Sequence, residues 1–130
     1  MWEVNAGTKL IARGGNIFSE EGFLSNPDEY LQFAVLCLSD GQEIQRHVHK
    51  RRNRHGRYPT HEFFVVFEGM LGVRFFNDHK VMIDTKELIR GDFFCQYSGG
   101  HSFLSLSEGT LFIEIKHGPF TTVEDDKIKF

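Results

Sequence analysis

His47 and His49 stand two residues apart, the spacing that sends two side chains to one face of a β-strand. Imidazoles presented this way can hold a transition-metal ion, or can serve a bound substrate as acid and base. Alone, the His-Val-His triplet is a weak signal, because two surface histidines beside a basic loop read the same way. Other positions add to it. Gly41 lies ahead of His47 and turns the chain into that run, and Glu62 opens a stretch of aromatic and β-branched residues that closes at Glu68-Gly69. His101 opens a further stretch, ten residues after Gly91. Together His47, His49, Glu62 and His101 supply three imidazoles and a carboxylate, a donor set for a divalent transition metal such as Zn, Fe, Mn, Ni or Cu. It does not suit Ca²⁺ or Mg²⁺, which take shells of oxygen.

His61 is a rival to Glu62. The two alternate along one strand, so only one of them can face a metal. The spacing to Gly69 favours Glu62. The long interval between His49 and Glu62 is filled by Lys50 to Thr60, which holds five Lys or Arg residues. Arg51, Arg52, Arg54 and Arg57 read either as a solvated surface loop or as a clamp on phosphate oxygens, which guanidinium forks grip in pairs. Leaving directly from the paired histidines, the loop is expected to overhang the site. Tyr97, close in sequence to His101, reads as a general acid or as a core or rim tyrosine. Glu114 and Lys116 share one side of the last long run, as a surface couple or as the far wall of the site. His55, His79 and His117 read as surface residues. Cys37 and Cys95 read as buried thiols of a reducing compartment, with Cys95 directed to the interior.

The elements that must carry these residues are strands. Turn signals at Ser39-Asp40-Gly41, Glu68-Gly69, Asn77-Asp78, Gly91-Asp92 and Ser107-Glu108-Gly109 cut the chain into short apolar or alternating runs. Those runs are 31–38, 43–49, 62–67, 71–76, 81–89, 93–97, 101–106 and 111–116. Residues 68–70 read as a hairpin turn joining two of them. Strands at such regular spacing without helical periodicity indicate an all-β sandwich or barrel. A chain of 130 residues fits one domain, with an arm over 1–30, a barrel core over 31–117 and a tail over 118–130. A net charge of −3 speaks against nucleic acid as the partner of the whole protein. The N-terminus has no basic flank or apolar signal core, and no run is long enough to cross a bilayer, so a cytoplasmic protein without a membrane partner is expected.

The order Gly, His-x-His, Glu, Gly, then Gly and His, is the layout of the two cupin motifs, and it implies a jelly-roll β-barrel. Within the cupins the chain resembles the WbuC type, found in bacterial polysaccharide gene clusters. Glu62-Phe63-Phe64-Val65-Val66-Phe67-Glu68-Gly69 is similar to that family's Glu-led strand and turn. Ile113-Glu114-Ile115-Lys116-His117-Gly118-Pro119-Phe120 is similar to its Phe-Glu-Val-Lys-x-Gly-Pro-Tyr. Around the last ligand the family has Pro-x-Gly-x-Trp-His, whereas here Gly100 stands where the Trp would be. The resemblance implies metal ligands at His47, His49, Glu62 and His101. It implies the setting of surface-polysaccharide synthesis but no particular reaction; for such a metal site acting on a sugar or nucleotide-sugar, isomerisation or epimerisation is the most natural class. Arg46-His47-Val48-His49-Lys50 is also similar to the His-Ala-His run of dTDP-sugar 3,4-ketoisomerases, cupins in which paired histidines act without a metal. A third reading is a barrel that binds a metal or sugar and performs no chemistry. Cupins commonly pair through sheet edges, so a homodimer is expected.

Overall fold

Turn residues divide the chain into extended runs, and each run becomes a strand. The computed structural model describes residues 1–49, 60–117 and 127–129, with side-chain detail over 1–45 and 60–117. Among the described residues, twelve strands follow in order: β1 (Trp2–Ala6), β2 (Lys9–Gly14), β3 (Gly22–Phe23), β4 (Leu31–Leu38), β5 (Glu43–His49), β6 (Glu62–Glu68), β7 (Met70–Phe76), β8 (Met82–Ile89), β9 (Phe93–Gln96), β10 (Gly100–Ser105), β11 (Thr110–His117) and β12 (Lys127–Lys129). β1 and β2 form a separate hairpin. The others form two five-stranded sheets, ordered β12-β5-β10-β7-β8 and β3-β4-β11-β6-β9. Every pairing is antiparallel.

The inner faces of the two sheets enclose the core. Leu38, Phe64, Val66 and Phe112 come from one sheet, and Leu71, Val73 and Phe103 from the other. Period-two alternation is sharp in β6, where Glu62, Phe64 and Val66 are buried and the residues between them are not. Among the described residues, no helix is long and apolar enough to cross a membrane.

The expected hairpin at 68–70 is not a hairpin. β6 pairs with β11 and β9, whereas β7 pairs with β10 and β8, so the chain leaves one sheet and enters the other at Gly69. A one-residue link cannot return a strand alongside its predecessor; it bends the chain between the layers. Gly69 adopts φ 80°, and a Cβ there would lie 2.6 Å from Ser107 Oγ and 2.8 Å from Thr110 Cα. The Ser107 hydroxyl also accepts a hydrogen bond from Met70 N at 2.9 Å, which fixes the far side of the bend. Gly41 has nearly the same φ, 78°, but a Cβ there would meet nothing within 4 Å. Gly41→Ala is therefore expected to cost about 1–2 kcal/mol from backbone strain alone. Gly69→Ala should cost clearly more, because contact adds to strain. Urea unfolding of both variants at unchanged m-value measures the difference, and equal losses would show that the crossing is not crowded.

Loop 25–29 is bound to β4. Gln32 donates to the carbonyls of Asn26 at 2.8 Å and Glu29 at 2.6 Å and accepts from Ser25 Oγ at 3.1 Å. Arg13, on β2, reaches Glu3 at 2.9 Å and Glu29 at 2.6 Å, tying the N-terminal hairpin to the same loop.

Candidate metal centre

Backbone register brings the sequence-predicted ligands into facing rows. On one sheet Glu62 lies opposite Gln96 of β9 and opposite Lys116 of β11, which in turn lies opposite Gln32 of β4. Residues directly opposite in an antiparallel pair share a face, so these four make one polar row across the inner surface. The next row, Phe94, Phe64, Glu114 and Ala34, begins the apolar interior. On the other sheet His101 lies opposite Phe75 of β7 and position 47 of β5. Position 47 also lies opposite Lys129, and position 49 opposite Lys127, on β12.

Across the gap between sheets, His101 Nε2 lies 3.6 Å from Glu62 Oε2, and both residues are 1% exposed. Two electron-pair donors on one ion at tetrahedral angles, with bonds of about 2.1 Å, would stand about 3.4 Å apart. The His101–Glu62 separation thus matches two ligands of one metal. Aromatic rings set the floor beneath the pair. Phe103 stacks on the His101 imidazole with centroids 4.6 Å apart, and Phe64 meets its edge at 5.3 Å. Among the described side chains, which do not include those of His47 and His49, no group of three or more His, Cys, Asp or Glu is gathered as a metal site. Glu62 and His101 are brought together; His47 is placed opposite His101 by backbone register.

Gln96 belongs to this site and was not singled out by its sequence. Its Oε1 lies 2.6 Å from His101 Nδ1, and its Nε2 donates to the carbonyl of Ser98 at 3.1 Å. The strand carrying it has apolar residues at both parities, which concealed its inward direction. Tyr97 stands on the other side. It is 65% exposed, and its ring meets the edge of His61 at 5.5 Å, on the face of β6 opposite to Glu62. The structure therefore does not bring Tyr97 to the Glu62–His101 pair. The same alternation directs Cys95 outward, not inward, and a hydrogen bond that the Tyr97 hydroxyl donates to Cys95, with Coulombic repulsion from Cys95 second, holds the Tyr97 phenol above its ordinary range. Cys37 is exposed rather than buried, and both cysteines are free thiols.

His61 is likewise directed away from Glu62, with its ring against His117. His117 is half-buried instead of exposed, because its Nε2 accepts a hydrogen bond from His61 N at 2.9 Å. Glu114 and Lys116 do not form a surface couple: they are 7% and 3% exposed, on the inner face. Lys116 Nζ sits 5.6 Å over the Phe23 ring, so the side chain leans away from Glu62 toward β3. His79 is exposed in its turn. Arg51, Arg52, Arg54, Arg57 and His55 lie outside the described residues.

No family model matches the chain, and no curated protein matches it. Solved structures do. Oxalate decarboxylase of Bacillus subtilis, in a single-substitution variant, superposes with a TM-score of 0.61 at 20% identity, over 79% of this chain and 25% of that one. A second structure of the same enzyme, concerned with its Mn(II) centres, gives 0.60 at 21% identity over 79% and 25%. The formate complex of Lactobacillus farciminis oxalate decarboxylase gives 0.60 at 20% identity over 82% and 31%. The chain spans about a quarter to a third of the length of these proteins. At such identity the likeness is one of fold. With the two facing antiparallel sheets, it makes this an all-β protein of the cupin fold, a jelly-roll barrel.

Proposed function

We propose that the chain is a metal-dependent cupin that binds one divalent transition-metal ion through His47, His49, Glu62 and His101 and acts on a sugar or nucleotide-sugar. The observation that carries this reading is the 3.6 Å approach of His101 Nε2 to Glu62 Oε2, both buried and contributed by opposite sheets. A bound ion of this kind supplies Lewis-acid polarisation of a carbonyl or hydroxyl oxygen. The chain's own residues hold and enclose the ligand. Glu62 and His101 fix the depth of the site, and Phe64 and Phe103 exclude water below it. Arg51, Arg52, Arg54 and Arg57, which leave β5 directly after His49, are assigned to the phosphates of a nucleotide diphosphate. Isomerisation or epimerisation at a carbon next to a carbonyl is the reaction class proposed.

One observation favours a second reading, a small carboxylic acid as substrate. Lys116 is a buried basic residue opposite Glu62 on the inner face, with its ammonium over the Phe23 ring, and the structures similar to this chain are those of enzymes named for oxalate.

Metal analysis of the purified protein, followed by incubation with keto-sugar nucleotides and with small dicarboxylates, tests these readings. Stoichiometric metal and sugar turnover that a chelator abolishes would bear out the first. Chelator-sensitive consumption of a dicarboxylate would favour the second. Sugar turnover that a chelator leaves intact would overturn the metal-dependent reading and leave His47 and His49 as a metal-free acid–base pair.

A further inference from the structure

We infer that Gln96 is a positioning residue that selects the ring nitrogen His101 offers to the site. Three hydrogen-bonding groups form a chain of fixed polarity. The Ser98 carbonyl can only accept, so the Gln96 amide turns its NH2 toward it, at 3.1 Å. That orientation leaves Gln96 Oε1, which also can only accept, 2.6 Å from His101 Nδ1. Nδ1 must therefore carry the proton. In a neutral imidazole the other nitrogen then carries the lone pair. That nitrogen is Nε2, the atom 3.6 Å from Glu62 Oε2. The backbone of β9 and its following turn thereby dictates, through one amide, which atom of a histidine on the opposite sheet can ligate. The opposite tautomer would place an N–H on Nε2, where it could donate to Glu62 and would block ligation.

The tautomer itself does not depend on a metal; only its consequence for affinity rests on the function proposed above. The test is long-range ¹H–¹⁵N NMR of the His101 ring in metal-free protein, at a pH where the ring is neutral, for wild type, Gln96→Leu and Gln96→Glu. Each form is then titrated with Zn(II) or Mn(II). Wild type should show the Nδ1–H form. Gln96→Leu removes the acceptor at similar volume and should shift His101 toward Nε2–H, with metal affinity lower by about 10–100-fold. Gln96→Glu keeps an acceptor oxygen and should restore the Nδ1–H form and most of the affinity. Nε2–H in the wild type would overturn the inference, as would an unchanged tautomer in Gln96→Leu. If the tautomer follows residue 96 but no form binds metal, the inference stands and the metal reading fails. Backbone amide spectra of each variant establish that the barrel is intact.

Discussion

Glu62→Gln is expected to weaken divalent-metal binding by more than about 100-fold, since it removes the only carboxylate of the proposed ligand set and even an outer-shell loss costs about 10–100-fold. The substitution keeps shape and volume at a site that is 1% exposed, so packing against the floor is retained. It exchanges a negative oxygen facing His101 Nε2 for an amide that can donate to that nitrogen. The metal-free variant should therefore fold and melt within a few degrees of metal-free wild type. The two forms should separate only when metal is added: wild type gains stability by mass action with rising metal, and Glu62→Gln does not. Isothermal titration and thermal melts at several metal concentrations measure both effects. Equal metal-dependent stabilisation of the two proteins would remove Glu62 from the site.

Phe64→Ala carries the second large effect. Phe64 is 1% exposed and lies among Phe94 at 4.7 Å, Phe103 at 5.0 Å and Phe112 at 6.4 Å, besides the edge of His101. Truncation removes a ring whose neighbours belong to three different strands, β9, β10 and β11, so no single strand can shift to fill the space. A loss of about 3–5 kcal/mol is expected, a large share of the total stability of an ordinary domain. Phe93→Ala, at a ring 67% exposed, should change stability by no more than about 0.5 kcal/mol. Denaturant midpoints at constant m-value compare the two. Similar small losses in both would mean that the aromatic floor does not hold the barrel together.

The strands were legible where composition enforces a period. Leu31–Leu38 and Glu43–His49 lie on either side of the turn residues that predict them, and β6 alternates so clearly that Glu62 falls inside with Phe64 and Val66. What the residues could not convey was the partner of each strand. Glu68-Gly69-Met70 has the composition of a tight turn, and the same glycine equally permits a step between sheets. Only the crowding from Ser107 and Thr110, which come from elsewhere in the chain, separates the two.

Face assignment failed where apolar residues occupy both parities. Phe93-Phe94-Cys95-Gln96-Tyr97 supplies hydrophobic side chains in either direction, and the inward set proves to be Phe94 and Gln96. Glu114 and Lys116 invert the usual rule, since charge is ordinarily left at the surface. Ile113 and Ile115 beside them look outward, while Lys116 lies in the polar row with Glu62 and Glu114 in the row with Phe64. Such inward charge is the local inconsistency expected of a functional site. The sequence picked out Glu62 and His101 through their spacing to glycines, while Gln96 became visible only when a hydrogen-bonding partner from another strand was in place.

One metal ion is proposed to sit between the two sheets. A crystal of the metal-soaked protein, measured on both sides of the metal's absorption edge, addresses it directly. A single strong anomalous peak is expected about 2.0–2.2 Å from His101 Nε2 and from a Glu62 carboxylate oxygen, with the imidazoles of His47 and His49 completing the shell. A peak elsewhere, or His101 and Glu62 joined by a direct hydrogen bond at full metal loading, would contradict it.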